Sequence, residues 1–305
     1  MLSTLDYALT QVKASLARTG IRLLKGLHTS NPDIILDIPS RDEGRSIRAH
    51  VYKSAEHSNS DSPKPVLINF HGSGWVLPCH GENDAYCRKL AAETGYTVID
   101  SSYRLAPENP FPKSLNDVED AVKYILDRPD EYDPKRVAIS GFSAGANMAL
   151  VAASVLFPPN TFTAAIAFYP LANFATDPAT RGQPDPTIRP SLSPGTIAWL
   201  TTNLLQDEDF DLRDPRLSPF YADSDRFPAK VLLIAGGADS LCADSDTLYE
   251  KLRDGRGREV VYRKMEGCNH GWDTHADLKA GSLQEEAKKE VHALAVRFLL
   301  EVRPL

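Results

Sequence analysis

The chain has 305 residues, of which 42% are hydrophobic and 25% charged, and carries a formal net charge of −7. That supplies a core for one large α/β domain or two smaller ones. The acidic balance, with no dense Lys/Arg run, argues against a nucleic-acid surface and for a small-molecule partner.

The N-terminal stretch MLSTLDYALTQVKASLARTG has apolar positions at Leu2, Leu5, Leu9, Val12 and Leu16, the spacing of an amphipathic helix. Its polar face mixes Asp6 and Gln11 with Lys13 and Arg18, so the expectation is a lid helix packed on the protein rather than a membrane-surface helix. It lacks a basic segment followed by an apolar core, so no secretory signal is read and a cytoplasmic location is expected. No run approaches the roughly 20 apolar residues of a membrane span. Four cysteines, Cys79, Cys87, Cys242 and Cys268, lie far apart without CxxC spacing, which favours free thiols over a zinc site.

Runs at Ile34 to Ile38 and Ile47 to Tyr52, separated by SRDEGR, predict an antiparallel hairpin. Short strand-like runs then alternate with helix-length segments: PVLINF (65–70), TVIDSS (97–102), RVAIS (136–140), AAIAFY (164–169), KVLLIA (230–235) and EVVYRKM (259–265). This rhythm predicts a mostly parallel sheet covered on both faces. Helices are expected from Ser114, with Val118, Ala121, Val122 and Ile125 on one face, and after Ser282, where Glu285 completes a capping-box pattern. Residues 175 to 228, rich in proline and aspartate with a helical patch at Ile197 to Leu205, are too long for a plain connection and read as an insertion over the active face.

Within AISGFSAGAN (138–147), Ser143 stands in a G-x-S-x-G pattern directly after an apolar run and before an alanine-rich helical segment. Glycines there permit a sharp strand-to-helix turn that exposes the serine as a nucleophile. A serine hydroxyl needs a base. His270, in the loop MEGCNHGWD after the last strand, fits best at the carboxyl edge of a parallel sheet, with His275 as runner-up. His28, His50, His57, His80 and His292 read as surface, loop or helix positions. Orientation of the base calls for a carboxylate, assigned to Asp239 in VLLIAGGADSL with Asp244 competing. The glycine-rich INFHGSGWV (68–76) offers the amides of Gly72, Ser73 and Gly74, with that of Ala144, as oxyanion donors, and Trp75, Phe142 and Trp199 are candidate pocket walls.

Assembled, these residues resemble the hormone-sensitive-lipase-like branch of the α/β-hydrolase superfamily from about Pro65 onward. HGSGW (71–75) is similar to its HGGG motif, SSYRLAPENPFP (101–112) to its YRLAPE-type segment, and GFSAGAN (141–147) to its GDSAGGN elbow. The resemblance implies an α/β-hydrolase fold with a mostly parallel eight-stranded sheet, helices on both faces and a helical cap. It divides the chain into N-terminal cap helices (1–45), core (46–174), cap insertion (175–228) and core (229–305). It carries the roles of nucleophile, acid and base to Ser143, Asp239 and His270. Ser73 replaces the middle glycine, which leaves the backbone donor intact if Ser73 needs no positive φ. Phe142 replaces the usual acidic residue, and Ala146 a glycine. Arg104 and Glu108 are expected to form a structural ion pair.

The implied activity is hydrolysis of short-to-medium-chain carboxylic esters through an acyl-enzyme, with no metal or organic cofactor. Amidase, lactonase or thioesterase chemistry, and a small-molecule receptor on the same fold, remain the alternatives. The resemblance is compatible with a homodimer through a sheet edge or the last helix.

Overall fold

The computed structural model describes residues 4–302 apart from 26–29, 55–61, 183, 186, 189–190, 207–208, 256 and 275–277. After helix α1 (Thr4–Lys25) come β1 (Ile34–Pro39), β2 (Ser46–Tyr52), β3 (Lys64–Phe70), α2 (Asp84–Thr94), β4 (Thr97–Ser101), α3 (Lys113–Leu126) and β5 (Tyr132–Phe142). The chain continues through α4 (Ala144–Val151), β6 (Ala164–Phe168), α5 (Pro194–Leu205), β7 (Lys230–Gly236), α6 (Cys242–Arg253), β8 (Glu259–Met265) and α7 (Leu283–Leu300). All eight strands join one sheet in the order β1-β2-β4-β3-β5-β6-β7-β8. The β1–β2 and β2–β4 pairs are antiparallel and the other pairs are parallel.

Strands β4 and β6 are buried at every residue, which is why they read as continuous apolar runs rather than alternating ones. On one face Leu67, Ala138, Ile166 and Leu232 cluster with Leu90 of α2 and Val291 of α7. On the other, Val66, Ile68 and Ile139 cluster with Val118 and Val122 of α3 and Met148 of α4. The same face carries Val231 and Leu233 against Leu248 of α6. The capping box at α7 forms with a shift: Ser282 Oγ accepts from the Glu285 amide, while Glu285 reaches back to the amide of Gly281.

Three expectations change. Helix α1 does pack on the protein through Ala14, which is buried with Val76 and Ala106, yet Val12 and Leu16 of its apolar stripe are 56% and 67% exposed. Arg18 fixes that rotation, bonding Glu108 through two nitrogens and donating to the carbonyls of Val76 and Ala106. Glu108 therefore pairs with Arg18 and not with Arg104. Arg104 instead bonds Asp42 and the fully buried Asp117, which also takes two bonds from Arg45. Finally, His50 is not a surface, loop or helix residue but lies buried on strand β2, at 6% exposure, while His292 is buried on helix α7; His28 and His57 lie outside the described residues.

The segment between β6 and β7 is tied to the sheet by one buried ion pair. Arg181 bonds Asp244 near the start of α6 and donates to the Asn173 carbonyl, and Asp244 also accepts from the amides of Ala172 and Asn173. Breaking a buried pair by removing one partner strands the other charge. Arg181→Met is expected to lower the free energy of unfolding by about 3 kcal/mol, read by urea denaturation; a loss below about 1 kcal/mol would mean the pair is dispensable.

Candidate active site

Ser143 sits at the joint between β5 and α4 with φ 52°, a left-handed conformation unusual for a residue with a side chain. Its amide donates to the carbonyl of Phe168 on the neighbouring strand. Neither flanking glycine carries a positive φ; both are required by close approach. A Cβ on Gly141 would lie 2.3 Å from the carbonyl oxygen of Gly145, and one on Gly145 would lie 2.0 Å from that of Phe70. Strain is thus borne by the serine, and the glycines let the chain pack tightly enough to hold it.

The candidate base and acid come from loops at the carboxyl ends of β8 and β7. His270 Nε2 is 2.8 Å from Ser143 Oγ, and His270 Nδ1 is 2.8 Å from Asp239 Oδ2. The carboxylate can only accept, so Nδ1 carries the proton and Nε2 is left to accept from the serine hydroxyl. The second oxygen of Asp239 accepts from the Leu241 amide, which fixes the carboxylate's rotation. The two loops are stitched together: Gly237 and Ala238 donate their amides to the carbonyls of Met265 and Cys268. Asp244 is committed to Arg181, so the competition for the acid falls to Asp239. His275 lies outside the described residues.

The HGSGW segment runs beside the elbow, where a Cβ on Gly72 would be 3.4 Å from Ser143 Cβ. Positive φ falls on Gly74 and Trp75 but not on Ser73, so serine is tolerated at that position. Its side chain has work of its own. Ser73 Oγ accepts from the Trp75 amide and bonds Tyr103 Oη at 2.7 Å, while Tyr103 Oη donates to the His71 carbonyl. His71 stacks on the Tyr103 ring, with centroids 4.3 Å apart. The loop's shape is therefore set by side-chain latches, and Ala144, the first residue of α4, has an amide with no acceptor within its own helix.

A cavity of about 280 Å³ opens over Ser143 and His270, walled by Trp75, Leu171, Ile197, Trp199, Leu200 and Leu241. Trp75 and Trp199, two of the candidate pocket residues, line this cavity. Phe142 does not: it is fully buried, stacked on Phe168 at 4.2 Å and edge-on to Tyr86, on the α2/α7 side of the sheet. A side chain one residue before the nucleophile points to the opposite face of the strand. Where the family's pattern has an acid, this chain has an aromatic core plug.

The sequence reading missed Tyr169. Its ring lies edge-on to His270 at 4.8 Å, its hydroxyl donates to Asp273 at 2.6 Å, and it lines the cavity. Its position directly after the apolar run of β6 was the available signal. Cap residues close over the base as well: Ser191 Oγ donates to the His270 carbonyl and Ser240 Oγ to that of Leu192. Among the described residues, the group able to hold a metal is not here but at His50, His80 and Asp100.

Residues 67–274 match a protein family described by the alpha/beta hydrolase fold. The chain is 31% identical over 227 residues to the carboxylic ester hydrolase LipN of Mycobacterium tuberculosis, covering 72% of this chain and 60% of that protein. It therefore spans less than two thirds of that relative's length. It is also 26% identical over 274 residues to an ethyl acetate hydrolase of Pseudomonas putida, covering 84% of this chain and 79% of that one. An esterase structure from Pyrobaculum calidifontis superposes with a TM-score of 0.79 at 25% identity, over 99% of this chain and all of the other.

Burial, followed by the nearby His80, pulls His71 down to about 3, so it is neutral in the folded protein. In the unfolded chain a histidine takes up a proton below about pH 6.5, so the unfolded state binds more protons and stability falls as pH drops from there toward 3. Between pH 7 and 5 this removes about 2 kcal/mol. His71→Gln should lose that much less than the wild type over the same interval in urea denaturation; parallel losses in both would show that His71 is protonated in the fold.

Proposed function

The chain belongs to the hormone-sensitive-lipase-like branch of the α/β-hydrolase superfamily, and on that premise we propose that it is a serine carboxylesterase acting on short-to-medium-chain carboxylic esters. The observation that carries this is the unbroken hydrogen-bond chain from Ser143 through His270 to Asp239 in the wall of an apolar cavity.

In the proposed reaction, Ser143 Oγ attacks the ester carbonyl while His270 Nε2 takes its proton, and Asp239 stabilises the imidazolium without itself being protonated. The oxyanion that forms is met by the amides of Ser73, Gly74 and Ala144, with Gly72 supporting the loop beside them. Removing one such donor typically costs 100- to 1000-fold, on the order of 3 to 4 kcal/mol of transition-state stabilisation. His270 then gives its proton to the departing alcohol, and a water, deprotonated by the same nitrogen, releases the acid. Tyr169 holds the imidazole edge during these two proton transfers.

Cavity size supports short acyl chains: about 280 Å³ lies at the lower end of ligand pockets, and Trp75, Trp199 and Leu200 bound it. Gly74 supports the same reading, because a Cβ there would stand 2.6 Å from Leu200, so cap and oxyanion loop are already in contact. The four cysteines are free and buried, which supports a cytoplasmic protein, and no described helix is long and apolar enough to cross a membrane.

Hydrolysis of p-nitrophenyl acetate, butyrate, octanoate and palmitate tests this directly. Rates should be highest on acetate or butyrate and negligible on palmitate, and Ser143→Ala should lower kcat at least about 10⁴-fold with the fold intact. Trp199→Ala should shift the optimum toward octanoate. A folded wild type inactive on every ester would leave the receptor reading in its place.

A further inference from the structure

A row of buried polar residues crosses four adjacent strands on the α2/α7 face, away from the catalytic groups. The register sets His50 of β2 opposite Asp100 of β4, Asp100 beside Asn69 of β3, and Asn69 beside Ser140 of β5. Their hydrogen bonds all run one way. Ser140 Oγ donates to Asn69 Oδ1 at 2.8 Å, and Asn69 Nδ2 donates to Asp100 Oδ1 at 2.7 Å. At the end of the row, Asp100 Oδ2 and His50 Nδ1 are fully enclosed and neither meets a partner at good hydrogen-bond geometry among the described residues, although the Gly81 amide lies close enough to stabilise the Asp100 carboxylate.

His80 covers this end from the loop that follows the HGSGW segment. Its Nε2 is 3.0 Å from the Asp100 carbonyl oxygen and 3.6 Å from Asp100 Oδ2, the latter too long for a hydrogen bond. Its ring lies 4.2 Å from that of His50. Each of the three side chains offers a ligating atom, and the three atoms lie within 4.8 Å of one another. Asp100 is fully buried, and among the described residues no lysine or arginine forms an ion pair with it. A buried carboxylate without a cation is costly.

We propose that His50, His80 and Asp100 form a binding site for one divalent transition-metal ion of the zinc type. Two imidazoles and a carboxylate are a donor set such ions take, and three protein ligands leave the fourth position of a tetrahedron for a water, on the side of the partly exposed His80 ring. Zinc–ligand distances near 2.0 to 2.1 Å require each donor to move inward by less than about 1 Å. Asn69 already bonds the other oxygen of Asp100, in the way that outer partners orient a ligating carboxylate. The ion would tie the loop after the HGSGW segment to β2 and β4, so its role is structural and separate from the proposed ester chemistry.

Chelator-stripped full-length protein titrated with ZnCl₂ by calorimetry should bind one equivalent, and Tm should rise by about 4 °C or more at a hundredfold excess over Kd. His50→Gln and His80→Gln should each weaken binding about 100-fold or more, and Asn69→Ala about 10-fold. His270→Ala should leave binding unchanged, because the triad imidazole is not a ligand. Co²⁺ should give visible ligand-field absorption in the wild type that His80→Gln abolishes. Because His80 is partly exposed, its variant decides the matter if His50→Gln fails to fold. Absence of binding to the wild type, binding indifferent to His80→Gln, or binding lost in His270→Ala would each overturn the proposal.

Discussion

Much of this molecule depends on one close approach: the backbone of residue 145 passes so near the end of β3 that a Cβ would sit 2.0 Å from the Phe70 carbonyl oxygen and 2.5 Å from that of His71. That contact joins two segments far apart in the chain, the elbow that carries Ser143 and the loop that carries Gly72, Ser73 and Gly74. Only glycine allows it. Once the two backbones are in contact, the serine hydroxyl and the loop amides share one small volume, and the left-handed φ of Ser143 is held by packing on every side.

The same economy appears in how the remaining parts are placed. The loops bearing Asp239 and His270 are cross-linked by backbone hydrogen bonds, so the imidazole is positioned by main chain before any side chain contributes. The segment between β6 and β7 then adds the cavity walls, and it is anchored at its near end by the Arg181–Asp244 pair together with the buried side chains of Leu171 and Phe174. A single buried ion pair with good geometry fixes position and register where a greasy contact would allow sliding.

The two faces of the sheet have different characters beneath this site. Toward α3 and α4 the strand side chains Val66, Ile68, Ile99 and Ile139 are apolar, whereas toward α2 and α7 the row Ser140, Asn69, Asp100 and His50 runs through the core. Phe142 lies on that second face as well, stacked on Phe168, where it fills the volume behind the nucleophile. Replacing the family's acidic residue by phenylalanine therefore exchanges a polar strut for an aromatic one without touching Ser143 itself.

How much of this was legible beforehand follows from the range of each interaction. All eight strands, the hairpin and the capping of α7 by Ser282 are written locally, in hydrophobic period, turn residues and short motifs, so the sequence by itself determined the fold class and singled out Ser143, Asp239 and His270 as the candidates for a triad. It misread what depends on rotation about an element or on partners distant in the chain. The exposed stripe of α1 follows from where Arg18 finds Glu108, the inward turn of Phe142 from strand alternation, and the burial of His50 from its register opposite Asp100. Tyr169 left only its place after β6 as a local signal, and the Ser73–Tyr103 latch left none, because their partners lie 104 and 30 residues away. Local propensity and motif spacing are properties of a few consecutive residues, but the direction of a side chain and the identity of its partner are set only when the sheet has formed and each face has chosen what it buries.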